Sequence, residues 1–369
     1  MPILLTILGV YLLLQLLLFV GLLTRQDQLT NELPQPLVKV TIMVAARNEA
    51  ENILRCLQAL DKLNYPKTHL QILIGNDQST DATGQIVQDF IADKPHFRLI
   101  NITKKLGVTQ GKANVLAHLA QAAEGAFWLV TDADIAVPPH WVPAMYQAQQ
   151  SKSKTNKSVG IVTGFTLVQG TGWFAKMQAI DWVYALGLIK IWSDRGIAVT
   201  AMGNNLGILP EAYRATGGYE QIPFSITEDF ALFQAIVKQG YDFRNVIHPE
   251  VMAFSHPIKT VKGWLHQRKR WMSGALQAPW FLTLFFGLHS SFWPLVVVLA
   301  FVSPWVALIL GSTKLVLQSG LMTILFRRIG RFSLFKYLVE FELYHLLFTW
   351  MMMLFYFLPI KVVWKGRKY

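Results

Sequence analysis

The chain has 369 residues, a formal net charge of +12, and 53% hydrophobic against 15% charged residues, where soluble domains carry about 25% charged. That length holds one sizeable α/β domain with several apolar helices beside it. Cys56 is the single cysteine, which excludes an internal disulfide and a multi-cysteine zinc site.

The run from Pro2 to Leu23 has no charged residue and is interrupted only by Gln15. At about 1.5 Å per residue it roughly covers a 30 Å hydrocarbon core, so a membrane helix is expected over 1–24. A signal peptide would show a basic start, a shorter apolar run and a small-residue cleavage site. Met1-Pro2-Ile3 and Leu22-Leu23-Thr24 show none of these. Residues 25–37 are mostly polar, contain Pro34 and Pro36, and read as a linker.

From 38 to 258 the pattern alternates. Apolar strands are expected at Val38–Val44, Leu70–Ile74, Phe97–Ile102 and Ala126–Val130, with helices near 50–60, 81–93 and 111–123 between them. Such alternation specifies an α/β fold around a parallel sheet covered on both faces. Residues 151–158 read as a solvated loop. Trp173–Trp192 has helical spacing, and both a core helix and a half-buried interfacial helix satisfy it.

Residues 259–279 form a basic amphipathic segment, followed by apolar runs at 280–326 and 334–360 and a basic tail at 361–369. Pro304 divides the first run into two helices. Arg327, Arg328 and Arg331 place the junction after it in the cytoplasm by the positive-inside bias, and Lys361, Lys365, Arg367 and Lys368 make the same demand. One crossing over 334–360 cannot satisfy both clusters, which leaves a re-entrant hairpin or a departure from the bias. The cations beside apolar segments suit anionic headgroups, and with no nucleic-acid-binding motif beside them a nucleic-acid partner is not expected.

In parallel sheets ligands bind beyond the carboxyl ends of the strands. There the sequence places Ala45-Ala46-Arg47-Asn48-Glu49, Gly75-Asn76-Asp77-Gln78-Ser79 and Thr131-Asp132-Ala133-Asp134. Asp132 and Asp134 are two apart, so both carboxylates can face one side and hold a hard cation, Mg²⁺ or Mn²⁺, with substrate phosphates. Gly107 to Ala113 fails as a P-loop, being one residue short and lacking the hydroxyl after Lys112. Lys112 at a helix start still suits an anionic group. Thr227-Glu228-Asp229 precedes a helical pattern and reads as a helix cap or as a general base. Gln267, Arg270 and Trp271 share one helical face offering an amide, a guanidinium for phosphate and an aromatic plane for a sugar.

Taken together, Asp77, Asp132-x-Asp134, Thr227-Glu228-Asp229 and Gln267-x-x-Arg270-Trp271 resemble, in order and approximate spacing, the motifs of family-two glycosyltransferases. This group includes cellulose, chitin and hyaluronan synthases and ceramide glucosyltransferase. The resemblance spans about 38–275, and Gly203-Asn204-Asn205-Leu206, Tyr213-Arg214 and Gly217-Gly218-Tyr219 are also similar. It implies a GT-A fold, Rossmann-like and mostly parallel, with membrane helices at both ends.

By the resemblance, Ala46, Asn48, Glu49 and Asp77 hold the nucleotide, and Asp132 and Asp134 meet the diphosphate and metal. Asp229 is the base of an inverting single displacement, with Glu228 next in line. Gln267, Arg270 and Trp271, with Glu228, are expected at the diphosphate and the acceptor end. The implied donor is a nucleotide sugar, usually a UDP-sugar, and the domain is cytoplasmic at the cell (inner) membrane. In that compartment the sequons at Asn101 and Asn156 carry no meaning. The small membrane part favours transfer to a lipid-borne or membrane-proximal saccharide acceptor. The alternatives are a processive polysaccharide synthase and a non-catalytic membrane scaffold. A phosphotransferase would need Asp132 at a first strand rather than a fourth.

Overall fold

The computed structural model describes residues 1–23, 26–30, 32–151, 156–275, 280–361, 363–364 and 367–368. Residues 152–155 of the expected loop, and Lys365 and Tyr369 of the tail, lie outside the described residues. Helix α1 (Pro2–Leu23) precedes β1 (Val40–Ala46). Of the described residues between them, Leu29, Leu33 and Leu37 lie against the core, and Asp27 is buried.

From β1 the chain alternates through α2 (Ile53–Asp61), β2 (Leu70–Asn76), α3 (Thr83–Ile91), β3 (Phe97–Asn101), α4 (Gly111–Gln121) and β4 (Phe127–Asp132). These are the elements read from the sequence. β1, β2 and β4 run on past the apolar residues because Ala46 still pairs with Asn76, and Ala45 with Asp132. The polar residues at the strand ends are therefore held by the sheet itself.

The second half adds α5 (Trp141–Gln150), β5 (Val159–Thr163), β6 (Phe165–Val168), α6 (Trp173–Ser193), β7 (Asn205–Ile208), α7 (Pro210–Ala215), α8 (Glu228–Lys238), β8 (Asp242–Asn245) and β9 (Met252–Ser255). The main sheet has the order β3-β2-β1-β4-β7-β5-β8. β7 runs antiparallel between β4 and β5, and the other pairs in this sheet are parallel. β6 and β9 form a separate parallel pair. α9 (Val261–Ala275) then leads to α10 (Trp280–Ala300), α11 (Pro304–Arg328), a 3₁₀ segment Phe332–Tyr337 and α12 (Leu338–Phe357). The mostly parallel GT-A-like α/β fold expected from the sequence is thus observed, and among the described residues four helical segments are long and apolar enough to cross a membrane.

Helix α6 is the joint. It is core rather than half-buried: Ile180, Val183 and Ile191 are at most 1% exposed. They share one cluster with Leu22 of α1, Phe285 of α10 and Leu325 and Phe326 of α11. Burying each such side chain contributes about 1.5–3 kcal/mol. Gly187 permits the contact, since a Cβ there would stand 2.4 Å from Leu325 Cδ1. A buried ion cluster fixes the same joint: Lys190 Nζ lies 2.5 Å from Asp194 and 3.2 Å from Asp27, with Arg244 at 3.6 Å from Asp27.

The strand β7 is pinned by Asn205, whose amide donates to the Phe165 and Val251 carbonyls at 2.9 and 2.8 Å while its oxygen accepts from Trp141 Nε1 at 2.9 Å. Asn205→Leu would leave those three buried groups unpaired, and an unsatisfied buried group costs about 1–3 kcal/mol. The expected loss is roughly 3 kcal/mol or more, measured by denaturant unfolding in detergent. A loss below about 1 kcal/mol would show that the bridge is redundant.

Candidate active site

Beyond the carboxyl ends of β1, β2 and β4 lies a cavity of about 390 Å³. One end is polar, lined by Asp77, Lys112, Asp132, Asp134, Glu228 and Asp229. Gln267, Arg270 and Trp271 of α9 close it from the other side. The far end is apolar, with Trp182, Leu186 and Trp192 of α6 facing Leu282, Phe285 and Phe286 of α10.

The polar end is organised around Lys112, the second residue of α4. Its Nζ lies 2.6 Å from Asp132 Oδ1 at the end of β4 and 3.1 Å from Glu228 Oε1 at the start of α8, and it donates to the Gly203 carbonyl at 3.2 Å. Burial disfavours its charge, but the carboxylates of Asp132, Glu228 and Asp229 outweigh that and hold the ammonium above its ordinary pKa. Lys112 is therefore a fixed cation.

Asp229 sits in the first turn of α8, where the helix dipole favours an anion. Its Oδ2 accepts from the Gly203 amide at 2.7 Å and its Oδ1 from its neighbour Phe230 at 2.9 Å. Gly203 is needed for this approach, because a Cβ at that position would meet the Asp229 Cβ at 2.8 Å. Burial, reinforced by the negative Glu228 and opposed by Lys112, pushes the Asp229 carboxyl up to about 6. A carboxyl with that value is ionised at neutral pH and still basic enough to take a proton.

The two loops after β1 and β2 are stitched together. Thr80 donates to Asn48 Oδ1 at 2.8 Å, Glu49 N donates to Thr83 Oγ1 at 2.8 Å, and Arg47 Nη1 donates to the Asp77 carbonyl at 2.8 Å. Asn48 takes a left-handed φ of 52° to do so. Ala46, Asp77, Lys112 and Asp132 line the cavity, whereas Asn48 and Glu49 are in the stitched loops and not among its lining residues. Glu228, Asp229, Asp134, Gln267, Arg270 and Trp271 come to the same cavity although 137 positions of sequence separate Asp134 from Trp271. Trp271 is held by Trp182, ring centroids 5.2 Å apart at 74°, and by the Arg268 guanidinium 4.5 Å over its ring.

Residues that sequence reasoning did not single out also line the cavity: Arg47, Gly203, Ser255 and His256. Arg47 stands between two residues that were singled out, and Gly203 begins a quoted motif, so both had a signal. His256 had none. The apolar wall from α6 was also missed, since its helical spacing reads equally as core.

Among the described residues no three His, Cys, Asp or Glu side chains cluster as a metal site. Asp132 and Asp134 both line the cavity and offer hard oxygen donors, a set that a divalent cation completes with phosphate oxygens and water. The residues present thus suit a cation brought with a phosphorylated ligand.

A GT-A-type α/β domain, fused to apolar helices through α6 and carrying acidic side chains beyond its strand ends, defines the class. The chain belongs to the glycosyl transferase family group 2, whose profile matches residues 129–362, and the glycosyl transferase family 2 profile matches residues 41–182. It is similar to the poly-beta-1,6-N-acetyl-D-glucosamine synthase of Staphylococcus epidermidis, 26% identical over 69% of this chain and 57% of that one. It is likewise similar to the beta-monoglucosyldiacylglycerol synthase of Synechocystis sp., 28% identical over 66% of this chain and 49% of that one. The chain thus spans about half the length of the curated relatives it matches. In fold it is similar to the mannosyltransferase PcManGT from Pyrobaculum calidifontis, solved in complex with GDP-Man and Mn²⁺. The TM-score is 0.58 at 18% identity, over 93% of this chain and 96% of that one.

Proposed function

We propose that the chain is a membrane-anchored inverting glycosyltransferase that moves a sugar from a nucleotide sugar to a lipid-borne acceptor. The observation that carries this reading is the two-ended cavity. Its carboxylate end continues without a break into an apolar end formed by α6 and α10. A molecule with a hydroxyl-bearing head and an alkyl tail matches both ends; a soluble sugar matches one. Nucleotide sugars are made in the cytoplasm, and the basic junction at Arg327, Arg328 and Arg331 supports placing the domain there, at the cell membrane.

Asp77, Ala46 and the stitched loops bind the nucleotide at the strand ends. Lys112, Arg270 and Gln267 bind and orient the diphosphate. A divalent cation held by Asp132 and Asp134 with the donor phosphates would offset the charge of the departing nucleoside diphosphate. Asp229 takes the acceptor hydroxyl proton as that oxygen bonds to the anomeric carbon from the face opposite the leaving group, which inverts the centre in one displacement. Trp271 and the α6 wall keep water from competing with the acceptor hydroxyl.

The direct test offers the purified full chain UDP- and GDP-sugars with either a diacylglycerol-rich lipid extract or soluble saccharides. Labelled product partitioning into the organic phase is expected. Soluble product of growing length with no lipid product would overturn the acceptor assignment in favour of a polysaccharide synthase. Activity should vanish with a chelator and return with Mg²⁺ or Mn²⁺; full turnover by rigorously metal-free protein would remove the cation from the account.

The pH dependence follows from Asp229. The carboxylate is the working form, so kcat/KM rises tenfold per unit as pH increases towards about 6 and flattens above it. Lys112→Met removes the cation that opposes the rise, so the midpoint moves to higher pH. A midpoint unchanged in that variant would separate Lys112 from the base.

A further inference from the structure

Trp271 joins the two ends of the cavity. It shares a helical face with Gln267 and Arg270, and its ring meets Trp182 of the apolar wall, centroids 5.2 Å apart at 74°. In the proposed reaction an acceptor head passes this ring to reach Asp229. A ring free to swing there would admit water beside the acceptor hydroxyl. What fixes the ring therefore bears on the outcome of the reaction.

Two adjacent residues of α6 hold it. Trp182 touches the ring directly. Asp181, the residue before, is ion-paired with Arg268 of α9, and each of these side chains is 14% exposed. The Arg268 guanidinium lies 4.5 Å from the centre of the Trp271 ring and 5.3 Å from that of Trp264. Trp264, Arg268 and Trp271 follow at i, i+4 and i+7, so one face of α9 carries ring, cation and ring. Trp264 is buried and meets Tyr344 and Phe348 of α12, ring centroids 6.4 and 5.1 Å away. Arg268 is thus fixed by a buried ring and by a carboxylate from α6, and it fixes Trp271 in turn.

Stability alone does not account for charges at this place. A buried ion pair exchanged for apolar side chains of similar size is often no loss to stability and sometimes a gain. The neighbours Trp182, Trp264 and Trp271 are aromatic and would pack against such side chains. What the pair adds is direction. A guanidinium is a planar fork that lies flat on an aromatic ring while its N–H groups meet a carboxylate. Without the carboxylate the fork is free to turn, and the Trp271 ring loses a fixed contact.

We propose that Asp181, which lies in none of the motifs, is a positioning residue for Trp271, acts through Arg268, and sets the choice between sugar transfer and donor hydrolysis. The inference rests on the sugar-transfer mechanism proposed above. In both outcomes the bond from the anomeric carbon to the diphosphate breaks, the nucleoside diphosphate leaves, and Asp229 takes a proton. The new bond runs to the acceptor oxygen in one and to a water oxygen in the other. With Trp271 fixed, the space beside the anomeric carbon is shaped for the acceptor. With Trp271 loose, water competes.

Asp181→Asn in the purified full chain tests this, supplied with UDP- or GDP-sugar and a diacylglycerol-rich lipid extract. The ratio of free sugar to transferred sugar should rise about tenfold or more, since a 1 Å misplacement can cost about 10²-fold. Nucleotide-sugar affinity, read by calorimetry, should be unchanged. In a Trp271→Leu background the same substitution should leave the ratio unaltered, because effects that act through one side chain do not add. A ratio unchanged by Asp181→Asn, or a rise that persists in full in the Trp271→Leu background, would overturn the proposal. Where Asp181→Asn folds poorly, Asp181→Leu with Arg268→Met removes both charges and leaves neither unpaired, and the same rise is expected. A second readout needs no reaction. In full chain labelled with fluorotryptophan, the fluorine resonance missing from Trp271→Leu belongs to Trp271, and it should shift and broaden in Asp181→Asn. A resonance that stays in place would overturn the positioning role. A shifted resonance in a chain that consumes no donor would uphold the positioning and count against the sugar-transfer mechanism instead.

Discussion

The site depends on one ammonium placed among three carboxylates. Asp132 comes from the end of a strand, and Glu228 and Asp229 from the start of a helix 96 and 97 residues later. Like charges brought together in a partly closed cavity repel unless a cation lies between them. Lys112, from the start of a third element, is that cation and touches both Asp132 and Glu228. It draws together the edge where a diphosphate would bind and the carboxyl proposed as base, and it opposes the burial that raises Asp229. If it is exchanged for an apolar residue, the donor end and the base end lose their common reference.

A second dependence links the candidate site to the apolar helices. The catalytic sheet does not rest on the apolar helices as a separate body, because α6 belongs to both. Its residues pack with α1, α10 and α11 in one cluster, and one of its faces supplies the apolar wall of the cavity. Lys190, 2% exposed near its end, is paired with Asp194 and Asp27, so the chain leaving α1 is clamped where α6 ends. Breaking such a buried pair by removing one partner typically costs about 3–5 kcal/mol. Within the apolar helices, Lys314 of α11 is likewise buried and paired with Glu342 of α12. That pairing ties α11 to the start of α12.

The sequence made β1 to β4 legible because each is a continuous apolar run flanked by a helical period, the signature of strands buried on two faces. The acidic residues of the site were legible because they follow those runs at strand ends or open a helix. β5 to β9 were not: four or five residues are too few for periodicity to speak, and β7 reverses direction only because Asn205 and its neighbours pair between β4 and β5. The Lys190–Asp27 contact joins positions 163 apart, and no local pattern encodes it. The hydrogen bonds that stitch Asn48 and Glu49 to the loop after β2 join positions more than 30 apart, and no local pattern encodes them.

The central claim is that Asp229 supplies chemistry and the rest of the cavity supplies binding. The measurement that tests it most directly compares wild type with Asp229→Asn. Nucleotide-sugar affinity is read by calorimetry and sugar transfer by a single-turnover assay on the same preparations. The amide keeps the shape and the Gly203 contact but cannot accept a proton. Affinity within about threefold of wild type is expected, with transfer slowed about 10²–10⁴-fold, the typical contribution of general-base catalysis. Transfer near the wild-type rate by the folded variant would contradict the account and return Asp229 to the role of a helix cap.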